Sequence, residues 1–129
     1  MDPRVQEAQE LFWQVATLRT LAQPPHRVIA ATLHRMARLH EERAKDLLGR
    51  QNVDGWIDLF AAITAWGEAG SDGAARSLLS FGRQAAQQSE GRDSLLAELD
   101  SLDRWLAGLV VVPALQDFAR PLPRFEAAA

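Results

Sequence analysis

The chain has 129 residues, a net charge of −3 and no cysteine. That length suits one domain, and 47% apolar with 24% charged residues is ordinary globular composition that excludes global disorder. Without cysteine there is no disulfide, zinc-thiolate site, iron–sulfur cluster or cysteine nucleophile.

The first helix is predicted over 3–21. Asp2 suits its N-cap, and Pro3 sits at the first helical position, where its missing N–H costs nothing. Val5, Ala8, Leu11, Phe12, Val15, Leu18 and Leu21 follow the spacing of one buried face. Pro24-Pro25 ends the segment. The second helix is predicted over 25–48, with Gly49 as its C-terminal cap. Its buried face is Val28/Ile29, Thr32/Leu33, Met36, Leu39, the stem of Arg43, and Leu47. Its opposite face carries Arg27, His34, Arg35, Arg38, Glu42 and Lys45. So short a connection predicts an antiparallel hairpin.

The third helix follows Asn52 or Asp54, either a cap, and ends near Ala69. At about 100° per residue, Val53, Trp56, Ile57, Phe60, Ile63, Thr64 and Gly67 share a face. Leu59 and Trp66 widen it to about half the circumference. Asp54, Asp58, Ala61, Ala65 and Glu68 are the expected solvated positions. An arc this wide predicts a central helix or one that also meets a partner.

Asp72 is the expected cap of the fourth helix, over 73–88. Its Ala75, Leu78/Leu79, Gly82 and Ala85/Ala86 form a small-sided face. Gly82 inside a helix costs about 1 kcal/mol against Ala, which close helix approach would offset. The fifth helix, over 94–109, carries a bundle seam: Leu95, Leu99, Leu102, Leu106 and Leu109 at spacings of four and three. Glu98, Asp100, Asp103 and Arg104 form its wet face. The pattern then decays. Residues 1–112 are read as one helical domain. Residues 113–129 are read as a short helical turn followed by an extended, frayed tail around Pro121-Leu122-Pro123. The third and fourth helices together span about 34 residues, the length of one tetratricopeptide unit. Phe60, Ile63 and Asp72 do not match that repeat, and no second copy exists. The expected fold is all-α: a compact bundle of about five mostly antiparallel helices with an extended C-terminal tail.

Catalytic and cofactor motifs are missing. His26, His34 and His40 show no His-x-x-x-His or Glu-x-x-His spacing, so no metal is expected. Asp54 and Asp58 are an i, i+4 carboxylate pair, read as exposed and ionised. No Gly-x-Ser-x-Gly elbow or phosphate loop occurs, and no cofactor or catalytic residue is assigned. Residues 1–50 hold eight basic and six acidic side chains, and 51–129 hold six and eleven. The basic face of the second helix, Arg27, Arg35, Arg38 and Lys45, is therefore the one candidate nucleic-acid surface. Overall acidity argues against that use, and nucleic acid is not an expected partner.

Four tryptophans, the wide third helix and the small-sided fourth favour protein binding. The expected function is a non-enzymatic interaction module: an adaptor, small chaperone or inhibitor-type partner. A small DNA-binding regulator is the second reading and an enzyme the third. The candidate interface is Trp56, Leu59, Ile63, Trp66, Leu79, Gly82 and Ala86, used in a homodimer. The start Met1-Asp2-Pro3-Arg4 shows no signal peptide, and no apolar run approaches the ~20 residues of a membrane helix. Thirteen arginines against the single Lys45 suggest a GC-rich bacterial source, and the expected location is the cytoplasm.

Overall fold

The computed structural model describes residues 2–110 and the backbone of Pro123–Arg124 and Glu126–Ala127, which pair antiparallel. The helical turn expected just after 112 lies outside the described residues. Five helices follow in order: α1 (Pro3–Arg19), α2 (His26–Gly49), α3 (Gly55–Glu68), α4 (Asp72–Ala86) and α5 (Arg92–Val110). Residues 2–110 form an all-α bundle with no strand.

Each connection reverses direction, so α1, α3 and α5 run one way and α2 and α4 the other. The side chains agree. Arg4 at the start of α1 meets Asp46 near the end of α2 at 3.0 Å, and Arg76 and Arg83 of α4 meet Asp103 and Asp100 of α5 in reversed order. Helix α3 packs on α2, α4 and α5, whereas α1 packs on α2. The α3–α4–α5 triple is therefore closed. Glycine closes it: a Cβ at Gly82 would stand 2.9 Å from Leu59 Cδ2 and 3.0 Å from Leu99 Cδ2, and one at Gly67 would stand 2.8 Å from the Trp105 ring. The close approach expected at Gly82 is what the helices make. Leu59, Ile63, Leu78, Leu99 and Leu106 are almost fully buried there.

The first cap holds as expected. Asp2 Oδ1 accepts the Arg4 backbone N–H at 2.9 Å, with Pro3 leading the helix. Other boundaries move. Helix α1 stops at Arg19, and Leu21 is half exposed beyond it. Gly49 is the last residue of α2 and not its left-handed cap. Gln51 takes that conformation at φ 59°, and the Asn52 N–H donates to the Leu47 carbonyl at 2.8 Å. Asn52, not Asp54, does the capping work before α3, its side-chain oxygen accepting the Asp54 N–H at 3.0 Å. Asp72 lies inside α4 and pairs with Arg76 one turn on, while Ser71 holds the cap position. Ala65 is buried, because α3 is enclosed on more sides than a two-faced wheel allows.

Candidate functional site

The first triple of helices does not close as the second does. A groove of about 860 Å³ separates α1 from α3 and is floored by α2, within the ~300–1,000 Å³ of binding clefts. Val5, Ala8, Phe12, Val15 and Ala16 line it from α1. Ile57, Phe60, Ala61, Thr64 and Ala65 line it from α3, over Leu33 and Met36 of α2. Its lips are large apolar side chains in water: Phe12 is 55% exposed and Ile57 72% exposed. Trp13 stacks edge-on against Phe12, centroids 5.4 Å apart, and is itself exposed. Both Phe12 and Ile57 were expected in the core. Their faces are apolar, but α1 and α3 have no helix between them to cover those faces. Val53, two residues before α3, and Val28 on α2 are likewise exposed.

A charged cluster closes one end of the groove. Asp58, expected on the wet face of α3, is 5% exposed. His40 Nδ1 lies 2.9 Å from Asp58 Oδ1, and Arg43 Nη1 donates to Asp58 Oδ2. Facing a carboxylate, which only accepts, Nδ1 is the donor. Arg43 Nε lies 3.3 Å from Asp2, linking the first turn of α1 to the pair. Arg4 and Asp46 extend the network, and hydrogen bonds from Arg4 hold the Asp2 carboxyl well below the usual carboxylate range and lower that of Asp46. At the opposite end Arg19 and Glu68 pair at 3.6 Å across α1 and α3. With Arg43–Asp58 and Arg19–Glu68 matched, Asp54 is the one charged residue on the groove lining without an ion-pair partner among the described residues.

The candidate interface is corrected. Trp56, Leu59, Ile63, Trp66, Leu79, Gly82 and Ala86 are all buried inside one chain. Helix α3 is central, and this part of its wide arc is covered by neighbouring helices, so these residues present no free docking face, while Val53 and Ile57 of the same arc stay exposed. The basic patch is exposed as expected, yet much of it serves its own chain. Arg35 pairs with Glu7 at 2.6 Å and Lys45 with Glu41 at 2.9 Å. The Lys45 ammonium sits 5.7 Å from the Phe81 centroid. Glu41 in turn accepts the Trp66 indole N–H at 2.9 Å, and His34 stacks edge-on against Trp66 at 4.5 Å. Burial there, with Arg38 nearby, pushes the His34 pKa down.

No metal-binding cluster of three or more His, Asp or Glu occurs among the described residues. His40 and Asp58 have the geometry of a base and its orienting carboxylate. Thr64 is the only hydroxyl on the described groove lining, and it donates to the Phe60 carbonyl at 2.9 Å instead. The His40–Asp58 contact ties α2 to α3. Sequence reasoning missed Phe12 and Ile57 as lips and Asp58 as a buried acid. One signal was present: Asp58 interrupts an apolar run, Ile57-Asp58-Leu59-Phe60, while His40 and Arg43 lie three apart on α2. No helix is long and apolar enough to cross a membrane among the described residues. No family model matches the chain, and neither a curated protein nor a solved structure matches it.

Proposed function

We propose that the protein is a non-enzymatic interaction module whose α1–α3 groove receives an amphipathic helix from a partner protein. The carrying observation is the pair of exposed apolar side chains, Phe12 of α1 and Ile57 of α3, on the rim of a groove with an apolar floor. Helix-in-groove binding uses such a surface, reading apolar anchors at i, i+3 or i+4, and i+7. The missing fourth helix of an α1–α2–α3 bundle has the right shape. Charge adds a direction: Asp54 at one end favours a basic residue at the matching end of the guest.

A display library of helical peptides, selected on the full chain, tests this. The expected result is enrichment of sequences with that apolar stripe and a Lys or Arg at one end, with binding lost in Phe12→Glu and Ile57→Glu. Both sites are exposed enough for the substitution to leave the fold intact. Peptides that keep binding both variants, or a selection with no enrichment, would overturn the reading. Disulfide-free dimers held through the same lips would place a second copy in the groove instead.

A further inference from the structure

The two ends of the groove differ in side-chain size and in charge, and the difference sets which way a guest helix runs. Resting on the reading of the groove as a helix-binding site, we propose that the partner helix lies antiparallel to α1 and α3. Its largest apolar anchors fall in its N-terminal half, and its last turn carries a Lys or Arg beside Asp54.

Size comes first. Arg19 and Glu68 pair across the last turns of α1 and α3, which run the same way. Residues counted back equally from that pair therefore stand at about the same level. Ala16, Thr64 and Ala65 line the groove three or four residues back, about 5–6 Å in at the helical rise. Phe12 is seven back and Ile57 eleven, at about 10 and 16 Å. Val5 and Asp54 are each fourteen back, about 21 Å away at the far end. The walls thus carry small side chains next to the Arg19–Glu68 pair and bulky ones farther in. A well-packed interface matches large residues to the recess and small ones to Phe12 and Ile57. A guest of about fourteen residues spans the whole length.

Charge then fixes the direction. Asp54 is exposed at the end opposite the recess, and it has no ion-pair partner among the described residues. A helix favours a cation in its last turn, where its macrodipole is negative, and an acid in its first. A Lys or Arg that answers Asp54 therefore belongs to the guest's C-terminal turn. The guest's first turn then lies beside the C-terminal ends of α1 and α3, the positive end of one dipole against the negative ends of two. Such a guest shares the direction of α2 and completes the alternating order of a four-helix bundle. A parallel guest would instead bring its first turn, where acids are favoured, against Asp54.

Helical peptides selected on the full chain report the direction in their own sequences: the enriched Lys or Arg should lie C-terminal to the large anchors. The chain has no cysteine, so introduced thiols read the direction independently. Val53→Cys marks the Asp54 end and Thr20→Cys the Glu68 end, both positions being exposed. A selected peptide with cysteine added at its C-terminus should form a disulfide with Val53→Cys at least about tenfold faster than with Thr20→Cys, because a docked end supplies a local concentration that the far end lacks. Moving the cysteine to the peptide's N-terminus should reverse the preference. Asp54→Asn should weaken the basic-ended peptide about threefold, the size of an exposed ion pair. It should leave unchanged a version whose last-turn Lys or Arg is replaced by Gln. The opposite thiol preference, or equal rates at both ends, would overturn the proposed direction while the groove stands as a helix site. Disulfide-linked dimers of the chain, formed ahead of any peptide product, would put a second copy in the groove and overturn it as well. A selection with no binding peptide removes the groove reading itself, and the direction with it.

Discussion

Asp58 of α3 points away from water and takes hydrogen bonds from two residues of α2, His40 at 2.9 Å and Arg43 beside it. A carboxylate 5% exposed within an apolar helix is stable only because both partners come from one facing strip, three residues apart. Removing one member of a buried ion pair costs about 3–5 kcal/mol. His40 and Arg43 are 23% exposed and can regain some water, so Asp58→Ala should cost about 3 kcal/mol, the lower end of that range. Urea unfolding measures it. A loss below about 0.5 kcal/mol, the size of a neutral surface change, would show that the pair holds nothing together.

Two glycines in helices should respond to alanine with opposite signs. A Cβ at Gly82 meets Leu59 and Leu99 at 2.9 and 3.0 Å, whereas one at Gly108 meets nothing within 4 Å. Gly82→Ala gains helix propensity but overpacks the α3–α4–α5 contact, for a net loss of about 1–2 kcal/mol. Gly108→Ala keeps only the gain, roughly 0.5–1 kcal/mol. Thermal melts of the two variants decide it. If both were stabilised, the α4 crossing would have to be looser than the contact distances state.

The contrast between these positions shows what a sequence can carry. The cap at Asp2, the seam through Leu99 and Leu106, and the tight crossing at Gly82 are local in origin. Each follows from the spacing or size of residues on one helix. Asp58 and the Phe12–Ile57 lips are not local. A helical wheel assigns each residue to water or core by its own polarity. It cannot show that an acid will meet His40 and Arg43 across an interface, nor that α1 and α3 lack a helix between them. The same blindness placed Trp56 and Trp66 on a free surface. Their apolar arc is real, but the part that holds Trp56 and Trp66 is buried inside the bundle and only the part with Val53 and Ile57 meets water.

Gln51 is a place where the chain accepts strain. It holds φ 59° at the turn after α2, where the Asn52 and Gln51 N–H groups close onto the Leu47 and Leu48 carbonyls. The equivalent turn after α3 uses Gly70 at φ 82°. A residue with a Cβ in the left-handed region costs about 1 kcal/mol or more relative to glycine. Gln51→Gly should therefore raise stability by roughly 0.5–1 kcal/mol, after the entropy of a freer unfolded chain is subtracted. Chemical denaturation checks it. A destabilised variant would mean that the Gln51 side chain contributes more than the turn takes away.

Acid should unfold the protein in two stages, from two kinds of group. His34 has its pKa lowered by burial against Trp66 and by Arg38. Folding favours its neutral form, so this contribution is complete above the unfolded value near 6.5. It is lost as pH falls from there toward the depressed folded value. Asp2, Asp46 and Asp103 also have lowered values, chiefly through hydrogen bonds from Arg4 and, for Asp103, from Arg83. They favour the charged form. Their contribution is present above the unfolded value near 4 and disappears as pH drops through the still lower folded values. Melting temperature should thus decline gently below about pH 7 and again below about pH 4, these being the unfolded values. His34→Gln should remove the first decline and leave the second. Raising the salt concentration should shrink the second, because these carboxylates pair near the surface where ions screen them. A first decline that persists in His34→Gln would assign it to another group and refute the role given to the Trp66 contact.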